Sequence, residues 1–345
     1  MKLLIAALEP SANLHLAPLL KSLPAAQIEG IFGREFGSPL YESREFSVMG
    51  FVDALLKLPL AKKALEAMVQ AADECDMVIL IDSPAFNIPL AKRIKARYPD
   101  KPILYYILPQ VWAWKAGRIP VVEAITDAQA VILPFERQWW KKGVYVGHPL
   151  LEEIARFKTT PTLEPVYTFM PGSRRGEIKR LWPTFKETAN QLTGEKILVV
   201  PTHLSEKEIA VLYGDLSGFT LSQDAHEALG RSCFAFVCSG TATLEAALIG
   251  TPLVLAYRAK WLDFQIASHF VKLPFVGLGN LIAHFEDRPP LFEEFLQNEV
   301  TPSNLLAACR RADGAAFLAR SEELRALLGQ PDQPLAELIT QLAGD

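Results

Sequence analysis

Short, almost unbroken apolar runs recur along the whole chain, separated by stretches in which apolar positions return every three or four residues. Runs without polar alternation suit strands buried on both faces, and the rhythm between them suits covering helices. In the first half, strands are predicted at Lys2–Leu8, Gln27–Phe32, Met77–Ile81, Ile103–Ile107, Ala130–Leu133 and Val144–Val146, with helices such as Ala85–Arg97 between them. A second series follows Pro161 and Pro165, at Val166–Met170, Lys196–Val200, Gly218–Leu221, Phe234–Cys238 and Leu253–Tyr257. Repeated strand–helix order predicts an α/β chain with two parallel sheets, each covered by helices. The Thr- and Pro-bearing segment Ala155–Pro165 is the expected linker. That divides the chain into domains over 1–155 and 165–310, followed by helices over 311–345 that either stand apart or return to the first domain.

Ligands of open parallel sheets bind beyond the C-terminal ends of the strands, so the residues just after each strand are the ones to inspect. The stretch Phe234–Pro252 reads as a buried strand that breaks at Ser239-Gly240 into a helix starting near Thr241. The unpaired N–H groups and positive dipole of such a helix start make a seat for phosphate. Glu245 lies one turn in, on the face of Thr241, where its carboxylate can accept from sugar hydroxyls; the alternative is a plain packing unit with Ser239 or Thr241 as cap. The loop Pro171–Glu177 brings two glycines, Ser173, Arg174 and Arg175 to another helix start, where basic residues oppose the dipole and an anionic ligand would explain them. In the first half, Glu9 and His15 follow the first strand and Asp82 follows the third. Each is either a base candidate or a structural cap or packing residue. His148 is either a hinge contact or a ligand.

Two patches, Phe51–Lys63 and Arg137–Lys142, mix large apolar groups with lysine, as surfaces that rest on anionic bilayers do. Phe51, Leu55, Leu56, Leu58, Trp139 and Trp140 are the candidate lipid contacts, with ordinary burial as the other reading. The 345 residues are 50% hydrophobic and 21% charged, which is globular composition with room for two cores. A net charge of −4 gives no global basic field for nucleic acid. The four cysteines have no metal-ligand spacing and read as reduced core residues of a cytosolic protein. The apolar start, cut by Glu9, is too short for a signal segment, and no uncharged run is long enough to span a bilayer. Membrane association is therefore expected to be peripheral.

Taken in order, VMGFVDALLKLP (48–59), IDSPAFN (81–87), LPQVWAW (108–114), LPFE (133–136), GHPLL (147–151), MPGSRRGEI (170–178), SGTATLEAALIGTPLVLAYR (239–258) and GNLIA (279–283) resemble the lipid-A-disaccharide synthase family. The resemblance implies an inverting glycosyltransferase of the GT-B fold, two Rossmann-like domains facing a central cleft. It implies that UDP-2,3-diacylglucosamine is joined to 2,3-diacylglucosamine 1-phosphate with release of UDP, on the cytoplasmic face of the inner membrane of Gram-negative bacteria. By matched position, Ser173, Arg174, Arg175 and the turn Ser239, Gly240, Thr241 and Thr243 would meet the diphosphate, Glu245 the ribose and Asn280 the nucleotide. The first domain would take the acyl-sugar acceptor. No metal and no cofactor are expected, and dimers are the family's suggestion.

Two departures matter. The family usually reads GEPSGD near its start where this chain has LEPSAN, ending in Asn13, and it reads IDxPDFN where this chain has Ala85. Neither Asn13 nor Ala85 can act as a base. Asp82, then His15, with Glu9 as the third candidate, are left to accept the proton of the acceptor hydroxyl. Other readings are a different UDP-amino-sugar transferase, an epimerase, or a UDP-sugar-lipid binding protein without turnover.

Overall fold

The computed structural model describes residues 1–46, 58–259 and 273–344. These form two compact units, one of Met1–Pro149 with Leu328–Asp345, the other of Leu150–Leu327. The first holds a sheet of seven parallel strands in the order β3-β2-β1-β4-β5-β6-β7. These are β1 (Lys2–Ala7), β2 (Gln27–Phe32), β3 (Tyr41–Glu42), β4 (Met77–Ile81), β5 (Ile103–Tyr106), β6 (Ala128–Val131) and β7 (Gly143–Tyr145). The second holds six parallel strands in the order β10-β9-β8-β11-β12-β13. These are β8 (Val166–Met170), β9 (Glu195–Val199), β10 (Thr220–Ser222), β11 (Phe234–Cys238), β12 (Leu253–Tyr257) and β13 (Glu293–Leu296).

Each sheet is doubly wound, and the direction of winding reverses between β1 and β4 in one and between β8 and β11 in the other. Such reversals open a crevice at the C-terminal strand ends. Register carries both pairs to nearly the same height, with Ala7 beside Ile81 and Met170 beside Val237. All of Met77–Ile81 and Phe234–Cys238 is buried, as central parallel strands require. Alternation then sorts side chains to the two faces: Leu4, Ala6, Val78 and Leu80 join one core layer, while Leu3, Ile5, Met77 and Ile79 join the other. In the second unit Phe169 and Phe236 stack at 4.8 Å between centroids beneath Trp182 and Phe185.

The chain changes unit at Pro149–Leu150 rather than within Ala155–Pro165. The expected linker is held to the second unit: the Lys158 N–H donates to Ile249 O at 2.8 Å and its ammonium to Ser232 O. At the other end, Tyr145 Oη donates to Leu328 O at 2.7 Å and Arg137 pairs with Asp332 at 2.6 Å. Beyond these ties, the helix Leu335–Ala343 puts Leu338 and Ile339 into the core layer of Leu3 and Ile5. Ile339→Val is therefore expected to lower the stability of the first unit by about 1 kcal/mol, read as a drop in Tm. An unchanged Tm would detach this helix from the core.

Trp140 is 2% exposed within the first core, so it is a packing residue and not a lipid contact. Trp139 is half-buried, edge-on to Phe135 at 6.1 Å. Lys142, beside them, donates to the carbonyls of Glu123 and Thr126 at 3.0 and 2.6 Å. The reason is local: a short helical turn over Pro134–Gln138 folds this stretch back onto β6 and β7. Leu58 is 58% exposed. Phe51, Leu55 and Leu56 lie outside the described residues.

Candidate active site

In the second unit the turn after β8 and the turn after β11 line one cavity of about 390 Å³. Gly172 opens the first turn at φ +115, and a Cβ there would meet Glu177 Cβ and Oε2 at 2.7 Å. Gly240 opens the second at φ +152 with nothing within 4 Å of a Cβ, so backbone alone faces the space. The two helix starts differ. The helix Arg175–Ala189 is already complemented by its own Glu177, whose Oε2 accepts the Arg174 N–H at 3.2 Å. The helix Thr241–Ile249 has no side-chain cap and no acid in its first turn, so its leading N–H groups and dipole are left for an anion.

Ser173, Arg174, Ser239, Gly240, Thr241 and Glu245 all line this cavity. Three other expected residues do not. Arg175 pairs instead with Glu208 on the next helix, Glu206–Tyr213. Thr243 is fully buried, and its hydroxyl donates to Gly240 O at 2.8 Å, which shapes the turn from behind. Asn280 is also fully buried; its amide donates to Phe292 O and Glu294 Oε1 while its oxygen accepts from the N–H groups of Leu291 and Phe292. Its side chain is spent on joining the helix Leu278–Phe285 to β13.

Sequence reasoning missed three polar neighbours. Glu177 sits 3.2 Å from Arg174 Nη1 and reduces the positive charge the loop offers. His226 approaches Glu245 at 3.6 Å, and this carboxylate pushes the imidazole above its ordinary pKa. Gln223 also lines the cavity. Glu at the third position of the predicted helix start, which can reach back to the N-cap N–H, was a usable signal for Glu177. His226 and Gln223 had none.

In the first unit, the winding reversal collects Glu9, His15 and Asp82. Glu9 is the exposed residue at the start of the helix Pro10–Ser22, and its carbonyl accepts the Asn13 amide at 2.8 Å. His15 lies edge-on to Tyr106 at 6.4 Å. β4 runs between β1, which leads into the helix that carries His15, and β5, which carries Tyr106, and Asp82 follows its end. Asp82 and Ser83 both adopt left-handed backbone, at φ 51 and φ 43, a strain that functional sites commonly hold. The Asp82 carbonyl accepts from Tyr105 Oη and Asn87 Nδ2, each at 2.8 Å. Burial pushes the Asp82 carboxyl above the ordinary range, and the Ser83 N–H and the charge of His15 oppose that push.

Asn13 has a structural reason to be an amide. Its Nδ2 donates to Ala7 O at 3.1 Å and Glu9 O at 2.8 Å, while its Oδ1 accepts the Gly33 N–H at 2.7 Å. It knits the end of β1 to the end of β2. Burial holds His148 neutral, with its pKa lowered to about 3, and its backbone N–H donates to Leu328 O at 3.3 Å. Glu136, another residue the sequence did not single out, is 2% exposed, and burial raises it to about 7 against the hydrogen bonds it receives from Trp112 Nε1 and the Leu133 N–H.

A family described as lipid-A-disaccharide synthetase matches residues 3–312. A lipid-A-disaccharide synthase of Campylobacter jejuni (strain RM1221) is 46% identical over 347 residues, covering 94% of this chain and 95% of the relative. One from Helicobacter pylori (strain Shi470) is 46% identical over 342 residues, covering 94% of each. Among solved structures, the calicheamicin glycosyltransferase superposes with a TM-score of 0.61 at 16% identity, covering 99% of this chain and 98% of that one. That likeness carries the fold, which is GT-B.

Proposed function

This chain belongs to the lipid-A-disaccharide synthase family, and from that premise we propose which residues of the two units carry out the transfer. It is a glycosyltransferase of lipid A disaccharide synthesis, acting on lipid A precursor sugars. The specific substrates we propose are UDP-2,3-diacylglucosamine as donor and 2,3-diacylglucosamine 1-phosphate as acceptor. The observation that carries the assignment is the cavity between the β8 and β11 turns, where an uncapped helix start, a bare Gly240 and Arg174 converge.

The uridine diphosphate lies with its phosphates on the N–H groups that start the Thr241–Ile249 helix, with Ser173, Ser239 and Arg174 beside them and Glu245 on the ribose. Its leaving charge is stabilised by fixed donors and by Arg174. In the first unit, the 6-hydroxyl of the acceptor attacks the anomeric carbon of the donor from the face opposite the diphosphate. One C–O bond forms as the other breaks, the pair of electrons leaves on UDP, and the hydroxyl proton passes to Asp82. Inversion follows from the single displacement. His15, edge-on to Tyr106 beside the strand end that Asp82 follows, is the second candidate base. Neither role requires a cofactor.

No described helix is long and apolar enough to cross a membrane. The acyl chains and the exposed Leu58 suit peripheral contact with an anionic inner-membrane surface, and a homodimer is the assembly proposed.

The test is UDP release from the diacylglucosamine donor with and without acceptor. Release that depends on acceptor supports the transferase; tight UDP binding with no release under either condition would move the chain to a binding role. Arg174→Ala is expected to weaken UDP binding by roughly 10–100-fold, because it removes a charge-assisted donor and leaves Glu177 uncompensated beside the phosphates. Calorimetric titration with UDP checks it, and unchanged affinity would take Arg174 out of the site.

A further inference from the structure

The loop after β5 gathers two cations that the fold itself does not need together. Trp114 is 49% exposed. Lys115 Nζ lies 4.0 Å from the centroid of its ring and the Arg118 guanidinium carbon 5.7 Å from it. Two like charges on one indole repel each other, and a nearby carboxylate would relieve this. Elsewhere in the same unit the fold supplies one: Lys95 has Asp127 at 2.8 Å and Arg137 has Asp332 at 2.6 Å. Among the described residues, Lys115 and Arg118 have no such partner.

The loop is also built rather than loose. Trp112 Nε1 donates to the buried Glu136 at 2.9 Å, and its ring meets Phe135 edge-on at 5.4 Å. The Ala113 and Trp114 N–H groups both turn back to Gln110 O, at 3.1 and 3.3 Å. Lys115 is held in left-handed backbone at φ 55, a conformation that costs a non-glycine residue energy. The loop leaves β5 beside the strand end that carries Asp82: Tyr106 pairs with Ile81 in register, and Tyr105 Oη donates to Asp82 O at 2.8 Å.

We propose that Lys115 and Arg118, held on Trp114, form the subsite for the phosphate monoester of the acceptor sugar. The inference rests on the transferase reading above and adds the determinant of acceptor choice. A sugar phosphate with its hydroxyl on the Asp82 carboxylate would present its dianion to the guanidinium fork and the ammonium. The same phosphate chemistry occurs in membrane headgroups, so the experiment separates the two sources.

UDP release is measured with 2,3-diacylglucosamine 1-phosphate and with its dephosphorylated form, for the wild type and for a double variant Lys115→Met and Arg118→Met. The double variant is expected to raise KM for the phosphorylated acceptor on the order of 10-fold or more, with the KM for donor and for dephosphorylated acceptor unchanged. Equal loss for both acceptors, or no loss, overturns the subsite. Tryptophan fluorescence titrated with glucose 1-phosphate gives a readout free of turnover: a saturable change in the wild type, lost in the double variant and in Trp114→Phe, is expected. A response that persists in the double variant, or no response in the wild type, overturns the proposal. Weaker binding of the double variant to phosphatidylglycerol vesicles with unchanged discrimination between acceptors also overturns it and gives the loop to the membrane. Absence of UDP release from the wild type with either acceptor sinks the transferase reading alone, and the fluorescence titration then decides the subsite.

Discussion

Asp82→Asn is expected to lower acceptor-dependent UDP release by about 10²–10⁴-fold while leaving UDP affinity unchanged. The amide keeps the size and shape of the side chain but cannot take the proton. The UDP cavity lies in the other unit, between the β8 and β11 turns, so binding there gives an internal control for folding. The pH profile makes the assignment sharper. Burial raises the Asp82 carboxyl above the ordinary carboxylate range, and only its ionised form is a base. Activity is therefore present at high pH and lost as pH falls through that raised value, earlier in acid than an exposed aspartate would allow. The Ser83 N–H and then His15 oppose that rise, so removing the second in His15→Ala is expected to move the same limb to higher pH. A retained rate in Asp82→Asn, with the limb shifted or abolished only in His15→Ala, would transfer the role of base to His15.

Much of this site was legible because each strand that bears it is central. Continuous apolar runs such as MVILI and FAFVC mark strands buried on both faces, and the residue after each run is then a strand-end residue whatever the helices do. That is why Asp82, Ser173 and Ser239 could be placed from the sequence. The strands that escaped notice are edges: β3 is only Tyr41–Glu42, and β13 reads EEFL with no alternation to reveal it. The same limit applies to side chains whose meaning depends on what faces them. Trp140 and Trp139 are adjacent and chemically alike, yet only the fold decides that the first enters the core. Asn280 sits in a motif shared with the family, but its four hydrogen bonds reach Leu291, Phe292 and Glu294, eleven or more residues away, and spacing cannot show that. Asn13 looked like a lost acid; in the folded chain it is an amide because two carbonyls need a donor.

The same logic governs Asn87, and here the consequence is large. Its Nδ2 donates to Ile81 O at 3.2 Å and Asp82 O at 2.8 Å, and reaches Ala6 O at 3.5 Å. The side chain is fully buried, and its Oδ1 meets no donor among the described residues. Asn87→Asp, nearly the same shape, would aim a carboxylate at those carbonyl oxygens with no N–H to receive it. A loss of roughly 3–5 kcal/mol is expected at neutral pH, the range for an uncompensated buried charge. In the variant, burial and the facing carbonyls raise the folded pKa of residue 87 above its unfolded value of about 4. Its stability is thus fullest below the unfolded value and declines as pH rises through the folded one, the reverse of the usual behaviour of a paired aspartate. Even when protonated it offers one donor where the amide served several carbonyls, so a smaller gap to the wild type persists in acid. Thermal melts of both proteins across pH check this: the gap in Tm should widen from acid to neutral pH. A gap that stays constant would mean the carboxylate is solvated or repositioned, and that the left-handed turn at Asp82 and Ser83 does not depend on an amide beneath it.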